Sequence, residues 1–129
     1  MSKTILIVED EKSLRNVLRQ KLEHENFEVL EATNGQEGLD QAIKNNPDLI
    51  LLDIVMPVMD GFTMIEQLRN HEHERGILVG NQIPIILLSN LSDQEKFAES
   101  QKKGVYDFLV KSDWTLEAVV VKIKNKLGM

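Results

Sequence analysis

The chain has 129 residues, which fits one domain with one core, expected to fill residues 1–129. A formal net charge of -6 argues against a surface that binds nucleic acid directly, because no basic patch is dense enough to neutralise a row of phosphates. There is no cysteine, so no disulfide framework can form, which suits a reducing cytosol. The opening MSKTILIVEDE is too short in apolar residues for a signal peptide, and no run approaches the length of a membrane span.

In chain order, Thr4 to Val8 reads as a strand, followed by a helix whose apolar positions are Leu14, Val17, Leu18 and Leu22. Phe27 to Ala32 is a weaker, more alternating strand, and Leu39, Ala42 and Ile43 mark the second helix. Leu49 to Leu52 is a strand apolar enough to be buried on both faces, as in a parallel sheet, yet it ends on Asp53. Met56-Pro57 and Asp60-Gly61 follow; the latter is turn chemistry and the entry to a helix carrying Ile65 and Leu68. The stretch RNHEHERGILVGNQ, Arg69 to Gln82, extends that helix and adds a loop. His71 and His73 are two apart, so they do not share a helix face, and a solvated, charge-rich helix end is expected there rather than a metal site. Ile85 to Leu88 is the fourth strand, ended by Ser89. A polar fourth helix follows around Phe97, Ala98 and Gln101, closing near Gly104. Phe108, Leu109 and Val110 form the last strand, ended by Lys111. Trp114 precedes the final helix, whose apolar face is Leu116, Val119, Val120, Ile123 and Leu127.

The order is βα five times. Right-handed crossovers then require an α/β, doubly wound (βα)5 three-layer sandwich with helices on both faces of a five-stranded parallel sheet. Ligands of such sheets bind beyond the carboxyl ends of the strands. The residues there are Glu9-Asp10, Asp53, Ser89 and Lys111. Three carboxylates on one edge repel one another, and a divalent cation removes the conflict. With oxygen ligands only and no Cys or His nearby, Mg²⁺ is favoured. A hydroxyl and an ammonium around a carboxylate suit developing phosphoryl charge, and an aspartate can itself carry a phosphoryl group. Taken alone, Asp10 reads better as the N-cap of the first helix, with Glu11 favouring its dipole, and Ser89, Lys111 and Phe108 are individually ordinary.

The ordered set LIVEDE, LLDIVMPVMDGF, PIILLSN and GVYDFLVKS resembles the receiver domains of two-component response regulators, from about Lys3 to Leu127. The resemblance implies a flavodoxin-like sheet in the order 2-1-3-4-5. It implies a phosphoacceptor that takes phosphoryl onto Asp53 from the phosphohistidine of a sensor histidine kinase or phosphotransfer protein. Glu9 or Asp10, Asp53 and the carbonyl of Val55 would hold Mg²⁺. Lys111 would pair with the phosphoryl oxygens, Ser89 would move to hydrogen-bond them, and Phe108 would swing inward. That repacks the surface of the fourth helix, fifth strand and fifth helix, through which a downstream effector or a second copy would dock. Such a protein is cytoplasmic, and it phosphorylates and dephosphorylates itself rather than turning over a metabolite.

Two departures bear on the site. Ser112 stands where the family has a proline in a cis peptide after the lysine; a cis bond before a non-proline costs ~2.5–4 kcal/mol, so a trans loop and a differently aimed lysine are expected. Asn90 stands where a small alanine is usual. Together they support one alternative, a degenerate receiver that docks partners without phosphate. An aspartate phosphatase is disfavoured by Val55 where its second acid would stand, and a flavodoxin by the acidic EDEKS after the first strand.

Overall fold

Apolar residues that run without alternation need cover on both faces, and the runs Ile5 to Val8, Leu49 to Leu52 and Ile85 to Leu88 find it in one five-stranded parallel sheet. The computed structural model describes residues 2–54, 56–89, 105–110 and 115–129. Its strands are β1 (Thr4–Val8), β2 (Glu28–Ala32), β3 (Leu49–Asp53), β4 (Ile85–Ser89) and β5 (Val105–Val110), in the order β2-β1-β3-β4-β5. The helices are α1 (Lys12–His24), α2 (Gly35–Asn45), α3 (Gly61–Glu74) and a C-terminal helix (Leu116–Leu127), with a 3-10 turn at Val79–Asn81. The expected fourth helix around Phe97 to Gln101 lies outside the described residues.

Successive strand side chains point to opposite faces, so each run feeds two cores. Leu6, Val8, Ile50, Leu52, Ile85 and Leu87 pack against α2 and α3. Ile5, Ile7, Leu49, Leu51, Ile86 and Leu88 pack against α1 and the C-terminal helix. Lys124 joins the C-terminal helix to Glu25 at 3.2 Å, and Lys21 pairs with Glu117 across the same seam.

The structure departs from the periodicity in four places. Val17 and Ile43 lie at the rims of their apolar stripes and are exposed, each about 100° around its helix from a buried neighbour, Leu18 and Ala42. β5 begins three residues before Phe108. Its register jumps from Ile85↔Val105 to Ile86↔Asp107, so a bulge takes up Tyr106 and breaks the pattern that would have marked the strand. At the end of α3, the expected solvated face contains a buried pair: Glu72 is 2% and Arg69 9% exposed.

Two local devices fix α2 below the sheet's carboxyl edge. Asn34 caps it by accepting from the Glu37 N–H at 2.9 Å, and Glu37 reaches back to the Thr33 N–H at 3.1 Å and hydroxyl at 2.8 Å. The bonds from Thr33, backbone N–H first, hold the Glu37 carboxyl below its ordinary value of 4.5. A lowered folded-state pKa contributes stability above the unfolded value and loses it as pH falls through the folded one. Glu37→Gln is therefore expected to be less stable than the parent by a small, constant margin at neutral pH, with the gap closing below pH 4.5; urea unfolding across pH checks this.

Gly35 is the second device. Its N–H donates to the Met59 carbonyl at 3.0 Å, and a Cβ there would overlap that same oxygen. Gly35→Ala is expected to cost about 1–3 kcal/mol, read as a lower urea midpoint, because backbone rather than a pliable side chain must yield.

Candidate functional site

β1 and β3 are neighbours, with Val8 opposite Leu52, so their carboxyl ends lie side by side. Glu9 and Asp10 follow the first and Asp53 closes the second. One carboxylate oxygen from each lies within 4.8 Å of the other two. Glu9 is fully buried, Asp53 is 6% exposed, and Asp10 is open to solvent. Among the described residues this is the one group of three potential metal ligands; His71 and His73 join none.

The backbone around each acid explains its placement. The Glu9 N–H donates to the Ala32 carbonyl at 3.0 Å, and its carbonyl accepts from Arg15 Nη1 at 2.9 Å. Its Oε2 accepts from the Glu11 N–H at 3.3 Å. Glu11, not Asp10, occupies the N-cap of α1, and makes no side-chain cap bond. The capping reading of Asp10 is thereby overturned: the helix begins one residue later, and Asp10 stays at the strand end beside Asp53.

Beyond Asp53 the chain turns tightly. The Gly61 N–H donates to the Ile54 carbonyl at 2.9 Å, and a Cβ on Gly61 would lie 2.6 Å from the Asp53 carbonyl oxygen. Asp60 caps α3 by accepting from the Thr63 N–H at 2.8 Å, as the turn reading of Asp60-Gly61 requires. Between them, the Met59 N–H reaches the Pro57 carbonyl at 2.7 Å across Val58, which has a φ of 69°. A β-branched residue in a γ-turn of that sign is strained and persists where the flanks over-determine it. Here the flanks are the Ile54–Gly61 and Met59–Gly35 bonds.

Asp53 pairs with Leu88 across the sheet, which puts the backbone of Ser89, the last residue of β4, one step beyond. Phe108 pairs with Leu87 within β5. Val55, Asn90, Leu91, Lys111, Ser112 and Trp114 lie outside the described residues. A cleft of about 290 Å³ between the carboxyl ends of α2 and α3, lined by Ala42, Leu68, His71, Arg75 and Ile83 among others, holds none of the three acids. Arg15, which sequence spacing did not single out, is the site's unforeseen member. It lies six residues from Glu9, and only the fold returns it to that carbonyl.

The chain matches the response regulator receiver domain over residues 5–123, and it belongs to that family. It is 39% identical over 127 residues to the transcriptional regulatory protein SrrA of Staphylococcus aureus, covering 98% of this chain and 48% of that protein. The chain thus spans about half the length of the relatives of this kind that it matches. The receiver domain of a signal transduction histidine kinase from Syntrophus aciditrophicus superposes with a TM-score of 0.81 at 31% identity, covering 98% of this chain and 91% of that one. Chemotaxis protein CheY4 of Vibrio cholerae superposes with a TM-score of 0.82 at 27% identity, covering 97% and 98%. The flavodoxin-like order β2-β1-β3-β4-β5 is therefore that of a two-component receiver. No helix among the described residues is long and apolar enough to cross a membrane.

Proposed function

We propose that the chain is a working phosphoacceptor, with Asp53 as the residue that takes the phosphoryl group from a phosphohistidine on a sensor kinase or phosphotransfer protein. The supporting observation is the cluster itself: a nearly buried aspartate at the tip of a fully buried strand, with two more carboxylates within 4.8 Å. Family membership supports the same chemistry.

The donor set fits a hard divalent cation. All three side-chain ligands are carboxylate oxygens on one open sheet edge, which suits Mg²⁺, since that ion takes one or two carboxylates and keeps several waters. Glu9 or Asp10, together with Asp53 and the Val55 carbonyl, would hold it. Bound there, the ion would offset negative charge on the carboxylates and the incoming phosphoryl oxygens.

An Asp53 carboxylate oxygen attacks phosphorus. The bond from phosphorus to the imidazole nitrogen breaks, its electron pair stays on that nitrogen, and a proton follows from solvent. Lys111 pairs with the phosphoryl oxygens and Ser89 donates its hydroxyl to them. The modification adds about −2 of charge at one strand end. It acts as a switch by biasing two packings of Ser89 and Phe108, and so the face formed by the fourth helix, β5 and the C-terminal helix. An effector protein or a second copy would read that face, in the cytoplasm and without direct contact to nucleic acid.

Intact mass after incubation with acetyl phosphate tests the reading. One phosphoryl adduct is expected with Mg²⁺ and none after chelation. No adduct in either condition would point to the phosphate-independent docking module.

A further inference from the structure

We propose that Arg15 is a positioning residue of the acidic cluster. By tying the Glu9 peptide to β2, it sets where the Glu9 carboxylate stands and hence how tightly the cluster holds Mg²⁺. This rests on reading the cluster as a cation site.

Three contacts close a ring. Arg15 Nη1 donates to the Glu9 carbonyl at 2.9 Å. Arg15 Nε faces Glu31 Oε1 at 3.3 Å. The residue after Glu31, Ala32, accepts the Glu9 N–H at 3.0 Å. Both peptide groups of Glu9 are thus held to one two-residue segment of β2, one directly and one through the guanidinium. Glu31 is steadied in turn by Arg19 Nε, 3.6 Å from its other oxygen. Arg15 itself is 13% exposed, so the fork works largely out of water. With the backbone fixed on both sides and Oε2 held by the Glu11 N–H, the Glu9 carboxylate has little freedom left.

The sign of the effect separates this role from a bare charge. A cation near a metal site weakens metal binding, so if Arg15 acted only by its charge, removing it would tighten Mg²⁺. As a positioning residue, its loss loosens Mg²⁺ by about 10-fold, as removal of groups that orient metal ligands commonly does. Arg15→Lys keeps the charge and gives up the two-pronged fork, so it falls between parent and Arg15→Ala. Glu31→Gln keeps the guanidinium and weakens its anchor, so it loosens Mg²⁺ by a smaller factor.

The test is calorimetric Mg²⁺ titration of the parent, Arg15→Ala, Arg15→Lys and Glu31→Gln, with thermal unfolding in chelator alongside. Weakened binding in the order given supports the role. Tighter binding by Arg15→Ala overturns it. Lowered melting temperatures with Mg²⁺ affinity unchanged reduce Arg15 to a structural ion pair and also overturn it. Should Arg15→Ala not fold, the same outcomes are read from Arg15→Lys and Glu31→Gln, which retain or replace the buried polar groups. A folded parent that binds no Mg²⁺ removes the cation-site reading and the inference with it, whereas a parent that binds beside variants that bind equally well removes the inference alone.

Discussion

Asp53→Asn is expected to remain at its unmodified mass after incubation with acetyl phosphate and Mg²⁺, under conditions in which the parent gains one phosphoryl group. Asparagine keeps the shape of the side chain but its neutral amide is no nucleophile toward phosphorus, so the loss is complete rather than partial. The neighbouring acids do not substitute, for opposite reasons. Glu9 is fully buried, with a carboxylate oxygen already accepting from the Glu11 N–H, and an incoming phosphorus cannot reach it. Asp10 is open to water, so an acyl phosphate formed there would sit in solvent. Asp53, at 6% exposure, lies between those extremes. An adduct that persists in Asp53→Asn would move the acceptor to Asp10 and leave Asp53 as a metal ligand only. Circular dichroism of the variant separates loss of chemistry from loss of fold.

The fold was legible because burial on both faces writes itself into sequence. The cores of β1, β3 and β4 are unbroken apolar runs, and Asp53 stood out against one of them. β2 was harder to read, since its pattern runs from exposed Glu28 to buried Ala32 at the sheet's edge. The start of β5 was hidden by the bulge at Tyr106, which shifts the strand's period by one. The acidic cluster followed from strand order, because the residues that end β1 and β3 must meet when those strands are neighbours. What spacing could not show were contacts between backbone and distant side chains. Arg15 on the Glu9 carbonyl and Glu72 on the Ile83 N–H are charged residues on helices, and a helix pattern assigns such residues to water. Kinship does not fix the output either: SrrA is a transcriptional regulator, CheY4 a chemotaxis protein, and a third relative is part of a kinase, on one shared scaffold.

Glu72→Ala is expected to cost about 3–5 kcal/mol of folding stability, a large share of what a domain of this size possesses. Arg69 Nη1 donates to Glu72 Oε1 at 2.6 Å, its Nη2 donates to the Ile83 carbonyl at 2.9 Å, and the Ile83 N–H donates to Glu72 Oε2 at 2.9 Å. The pair thus satisfies both backbone groups of Ile83, a 7% exposed residue between the 3-10 turn and β4 that belongs to neither helix nor sheet. Removing the carboxylate takes away a counter-charge 2.6 Å from a buried cation and strips a buried N–H of its acceptor in one step. Glu72→Gln keeps an acceptor for the Ile83 N–H but turns its amide NH2 toward Arg69 Nη1, losing the charge and that acceptor together. Its cost therefore falls below the alanine's only by the about 1–3 kcal/mol of the N–H that stays paired. Urea unfolding of the two variants gives both figures. A loss below about 1 kcal/mol for the alanine would mean that water enters and replaces the carboxylate. The acceptor chemistry should survive either change. Ile83 precedes the start of β4, whereas Asp53 faces Leu88 near its far end, and β4 stays paired with β3 and β5 along its length when the Glu72 contact is lost. Adduct formation at parental levels in a folded but weakened Glu72→Ala is therefore the expected companion result, and its loss would show that the α3–β4 connection sets the position of Ser89.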